Sequence, residues 1–118
     1  MTLSYWAVLF VLTHTPPAKM PPGPASDKLM HFMAYLVLSF LLGTTLYLAV
    51  PGQRRRMPLL VLLAGAAYGA FDELTQPLSG RACELGDWLA DLAGVATVAL
   101  VLFILVRLFP PTAPTRPT

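Results

Sequence analysis

Residues 54–77 read RRRMPLLVLLAGAAYGAFDELTQP, and the whole fold turns on how this stretch is understood. Three arginines open it, Asp72 and Glu73 stand near its end, and the fifteen residues between are uncharged. From about Met57 to Gln76 it spans roughly 20 residues, which at about 1.5 Å per residue crosses a hydrocarbon core of about 30 Å. Pro58 fits the first turn of a helix and Pro77 its stop. The segment is therefore a membrane-spanning helix with arginines at one end and acids at the other.

Two further stretches have the same character. One runs from about Asp27 to Val50 and is closed by Pro51-Gly52; the other runs from about Asp87 to Phe109, before Pro110-Pro111. The N-terminal stretch from Thr2 to Thr15 is apolar but only about 20 Å long as a helix. It carries no basic residue ahead of it and no clear small-x-small cleavage site before Asp27, so a retained first helix is preferred over a cleaved signal segment. Between it and the next helix lies PPAKMPPGPAS, whose five prolines predict an extended surface loop without helix.

Composition agrees. Of 118 residues, 56% are apolar and 12% charged, with mean hydropathy +0.65; a water-soluble domain carries about 25% charged residues. The chain is thus an all-α polytopic membrane protein, a single domain over 1–118 with helices at about 2–15, 27–50, 57–76 and 87–109. The net charge of +2 and clustered arginines speak against a nucleic-acid partner. Cys83 is the single cysteine, which excludes an internal disulfide and a cysteine-rich metal site. Arg54, Arg55, Arg56, Arg107 and Arg116 against Lys19, Lys28 and Arg81 place both termini in the cytoplasm, with the acidic ends outside. Ala64, Gly65, Ala66, Ala67, Gly69 and Ala70 on the third helix, and Ala90, Ala93, Gly94 and Ala96 on the fourth, mark close helix contacts. Intrachain packing is preferred for them, and a homo-oligomer is the alternative.

All six acids, Asp27, Asp72, Glu73, Glu84, Asp87 and Asp91, gather at helix ends on the outer side. Asp27 and His31, Asp72 and Gln76, and Asp87 and Asp91 are each spaced four apart, so each pair shares one helix face. His31, Asp72 and Asp91 then lie at similar depth and are the candidate catalytic residues of a shared pocket. Asp27, Lys28, Glu73, Gln76, Arg81 and Asp87 are the candidate ligand-binding residues, and Glu84 also stands at its rim. Plainer roles compete. Asp27 and Asp87 stand where helix N-caps belong, Lys28 and Arg81 can reach lipid headgroups, and Glu84 and Cys83 suit a solvated loop. His14, Tyr5, Trp6 and Trp88 suit the membrane interface. Asp72 resists such accounts, because a carboxylate costs about 2.5–3.5 kcal/mol in mid-span and a helix C-terminus disfavours it.

At these residues the chain resembles the VanZ-like family of small bacterial integral membrane proteins. The likeness rests on Asp27-Lys28-x-x-His31-Phe32, on Tyr68-Gly69-x-x-Asp72-Glu73-x-x-Gln76, on Gly80-Arg81, and on Asp87-x-x-x-Asp91-x-x-Gly94, over about residues 27 to 106. The segment Pro77–Arg81 is shorter than the family's usual loop, and the first helix is also short. The resemblance implies a four-helix protein of the cell envelope, with a link to glycopeptide (teicoplanin-type) susceptibility but no established reaction.

Three functions follow. The first is binding of, or action on, an anionic lipid-linked or cell-wall ligand, with His31 as acid/base and Lys28 and Arg81 holding phosphate or carboxylate. A divalent metal bridging the carboxylates suits this site, and membrane lipids are its surroundings. The second is a structural or interaction protein whose polar cluster only locks the helices. The third, a proton or ion path, is weakened because the cytoplasmic halves of the helices hold almost no ionisable groups.

Overall fold

The computed structural model describes residues 1–19 and 26–110. Four α-helices follow one another: α1 (Thr2–Thr13), α2 (Asp27–Ala49), α3 (Met57–Thr75) and α4 (Leu85–Leu108). Three short 3-10 segments, Pro17–Lys19, Pro51–Arg56 and Gln76–Ser79, accompany them, and no strand occurs among the described residues. The all-α bundle with a short first helix is therefore what the molecule adopts. Its extents are 63 × 22 × 22 Å.

Three spans are long and apolar enough to cross a membrane, and no more than a third of each is buried inside the protein. Leu48, Leu74, Leu100 and Phe103 point outward. A surface this apolar suits lipid rather than water. At 12 residues, α1 reaches only about 18 Å. It nevertheless belongs to the bundle: Leu9 is buried, the Tyr5 hydroxyl donates to the Ala34 carbonyl at 3.0 Å, and Thr2 and Thr45 share a hydrogen bond of 2.7 Å.

Small residues set how closely the helices approach. A Cβ on Gly94 would run into the Phe32 carbonyl of α2, and one on Gly65 would lie 2.7 Å from the Val95 methyls of α4. These patches pack helices of one chain together. Tyr35, Leu38, Val61 and Val95 fill the space between.

Several boundaries correct the sequence reading. Ser26, not Asp27, caps α2, accepting a hydrogen bond from the Leu29 N–H at 3.2 Å. The fourth helix starts at Leu85 rather than Asp87, so Asp87 lies inside the first turn with its side chain turned into the protein. Neither aspartate is a cap. Pro17–Lys19 forms one 3-10 turn where only extended chain was expected, because a proline at the start of a turn has no N–H that needs a partner. The rest of the proline segment, residues 20–25, and Arg116 lie outside the described residues. Arg54, Arg55 and Arg56 likewise sit on a 3-10 segment rather than an irregular loop. Gly80 adopts φ 81°, closing the turn after α3 in a conformation that favours glycine.

Candidate functional site

The second turn of α2 brings His31 among carboxylates of α3 and α4. His31 Nδ1 lies 2.8 Å from Asp91 Oδ1 and 4.0 Å from Glu73 Oε1, while Nε2 lies 3.7 Å from Asp87 Oδ2. All four residues are 5% exposed or less. The close approach at Gly94 makes this possible, since Asp91 stands one turn before it and is carried against α2.

The surrounding groups hold those carboxylates in place. Gln76 Nε2 donates to Glu73 Oε1 at 2.8 Å, and the Glu84 backbone N–H donates to Glu73 Oε2 at 3.0 Å. Lys28 Nζ lies 3.0 Å from Asp87 Oδ1 and 3.5 Å from Glu84 Oε2. It runs close over Gly86, where a Cβ would stand 3.0 Å from Lys28 Cε and Nζ. Arg81 Nη1 donates to the Thr15 carbonyl at 3.1 Å, and Nη2 lies 3.6 Å from the exposed Asp27 carboxylate. Glu73 and Asp87, expected at the rim, are instead central.

Asp72 turns the other way. Its Oδ1 accepts from Thr13 Oγ1 at 2.8 Å and lies 3.6 Å from His14 Nδ1, and the residue is fully buried. His14 Nε2 meets Thr75 Oγ1 at 2.9 Å, and its ring stacks on Phe10. The expected trio thus divides: His31 and Asp91 touch, and Asp72 ties α1 to α3. Thr13 and His14 are neighbours of Asp72 that sequence reasoning did not bring to it, and His14 is half-buried. Tyr5, Trp6 and Trp88 are half-buried, with Trp88 Nε1 donating to the Ala66 carbonyl at 3.3 Å and Trp6 packed edge-on against Tyr68. Cys83 is exposed in the loop before α4.

A cleft of about 100 Å³ lies between α1 and α2, walled by Leu9, Leu12, Met30 and Ala34 and reaching Asp27, His31 and Arg81. A larger cavity of about 420 Å³ at the arginine end, bordered by Tyr47, Arg54 and Leu102, has neither acid nor histidine in its wall. Size alone would favour the second; the acid/base groups lie at the first. Among the described residues two clusters hold ligand atoms within 4.8 Å of one another, as a metal would require: His31, Glu73 and Asp91, all buried, and Asp27, His31 and Asp87.

Residues 3–107 match the model of the VanZ/LLP1 family. The chain belongs to that family. In this VanZ/LLP1 protein the motif residues divide their work: Tyr68, Gly69 and Gly94 pack the helices, whereas His31, Glu73, Asp87 and Asp91 meet at one end. Searches of curated proteins and of solved structures find no match.

Proposed function

We propose that this VanZ/LLP1 protein acts at the cell envelope, taking the anionic headgroup of a lipid-linked ligand at the acidic end of the bundle. The observation that carries the reading is the cleft between α1 and α2, where apolar walls from Leu9, Leu12 and Met30 lead to His31 and Arg81. A slot that is greasy along its length and ionisable at its end fits an amphiphile entering sideways from the membrane. Arg81 and Lys28 supply positive charge for phosphate or carboxylate. His31, oriented by Asp91 at 2.8 Å, is placed to exchange a proton with the bound headgroup. Altered handling of such a ligand is also a route to changed glycopeptide susceptibility.

The test compares a polyprenyl phosphate with the uncharged polyprenol on the purified protein. Ligand that binds only the folded state raises the melting temperature, so the phosphate is expected to raise it and the alcohol is not. Arg81→Gln should remove the difference. Equal shifts from both lipids, or none, would sink the reading.

A second reading is favoured by the internal pairing itself. Lys28–Asp87, Gln76–Glu73 and Thr13–Asp72 are contacts that a purely structural lock would also need. Under it His31→Gln, Asp72→Asn and Asp91→Asn all lose folded protein. Under the first, His31→Gln and Asp91→Asn keep protein abundance and lose the envelope phenotype.

A further inference from the structure

Asp72, Glu73, Asp87 and Asp91 are each 3% exposed or less, which is a heavy concentration of carboxyl groups for one end of a small bundle. Buried carboxylates are ordinarily paired or bound to metal. Lys28 pairs with Asp87 and Glu84, and Arg81 faces Asp27. Thr13 and His14 face Asp72. Deeper in, Glu73 and Asp91 share the single imidazole of His31. An independent sign of incomplete pairing is Asp91 Oδ2, which is buried and has no hydrogen-bond partner, although Oδ1 of the same carboxylate is bonded to His31. Gln76 Oε1 is also buried without a partner, on the amide whose nitrogen donates to Glu73.

We infer that His31, Glu73 and Asp91 bind one divalent metal ion. Bonds of about 2.0–2.2 Å to nitrogen and carboxylate oxygen put adjacent ligand atoms roughly 3 to 3.5 Å apart. The separations from His31 Nδ1, 2.8 Å to Asp91 and 4.0 Å to Glu73, bracket that range, so small side-chain shifts suffice. Nδ1 is the ligating nitrogen, which leaves Nε2 toward Asp87, itself held by Lys28. A carboxylate behind a ligating histidine is the usual means of orienting the ring. Glu73 is steadied by Gln76 and by the Glu84 N–H. One nitrogen and two carboxylates favour Mn²⁺ or Zn²⁺ over Ca²⁺. The other cluster, Asp27 with His31 and Asp87, is the weaker candidate because Lys28 and Arg81 already stand beside its carboxylates.

The full chain, purified in detergent and stripped with a chelator, is titrated with Mn²⁺ and followed by electron paramagnetic resonance. One ion per chain with ¹⁴N coupling from an imidazole is expected. Glu73→Gln and Asp91→Asn should each weaken binding by at least about tenfold, and His31→Gln should remove the nitrogen coupling. Asp27→Asn should weaken binding less than Glu73→Gln does. No stoichiometric Mn²⁺, or no nitrogen coupling in the wild-type protein, overturns the assignment, whether or not the variants fold. Dependence on Asp27 instead of Glu73 overturns it as well. No lipid phosphate enters the measurement, so its failure leaves the headgroup reading standing, and failure of the headgroup reading leaves the metal.

Discussion

At Thr13 a single hydroxyl decides whether Asp72 is tolerable in the bundle. Its Oγ1 donates to Asp72 Oδ1 at 2.8 Å, and the opposite oxygen, Oδ2, is buried without a partner. Removing one member of a buried polar pair costs about 1–3 kcal/mol, because the other is left unsatisfied. Thr13→Val is therefore expected to lower stability by that amount, and Asp72→Asn to lower it also. The double variant should be less destabilised than the sum, with a coupling of about 0.5–3 kcal/mol in a thermal-melt cycle. Strict additivity would show that Asp72 does not depend on α1. In the sequence Asp72 resisted the plainer accounts, but nothing hinted at its partner, because Thr13 and His14 lie some sixty residues away. Spacing of four placed Asp27 with His31 and Asp87 with Asp91 on shared faces. Which face of α3 turns inward was not legible, since Asp72 and Glu73 are adjacent and differ by about 100° around the helix. Packing of α1 against one side and α4 against the other settled it, sending Asp72 to Thr13 and Glu73 to His31.

The helices themselves were legible nearly in full. Runs of about 20 apolar residues bounded by proline or glycine leave few alternatives, and α2, α3 and α4 fall within a few residues of their expected limits. Only α4 starts earlier than expected, at Leu85 rather than Asp87, and Ser26 and Glu84 hold the N-cap positions where an aspartate looked like a cap. Small-residue patches predicted close contacts but not which helices would meet. The α2–α4 approach at Gly94 is the decisive one, since it brings Asp91 to His31. A methyl group there would collide with the backbone carbonyl of Phe32, which cannot turn aside as a side chain would. Gly94→Ala is expected to spread the two helices and reduce folded protein severalfold, read by detergent gel filtration. Gly52, with nothing within 4 Å of its Cβ position, is the control, and Gly52→Ala should elute like wild type. Equal profiles for the two variants would mean that α2 and α4 need not touch.

For the molecule as a whole, charge separates the ends of the bundle along its 63 Å length. Arg54, Arg55 and Arg56 lie between α2 and α3, and Arg107 ends α4 on the same side; His31, Glu73, Asp87 and Asp91 meet at the opposite end. Basic residues in short loops are retained in the cytoplasm, so the acidic cluster is expected to face outward, where a lipid-linked envelope ligand presents its headgroup. Cys83 offers a direct test, being exposed in the loop at the acidic end. In intact cells a membrane-impermeant maleimide should label it without lysis. With Cys83→Ser as background, Gln53→Cys in the arginine-bearing segment should label only after the membrane is opened. Reversal of the two patterns would put the cluster on the cytoplasmic face. The histidine–carboxylate geometry and the metal proposed for it would survive that result, but the proposed ligand would then have to be sought among lipids and solutes inside the cell.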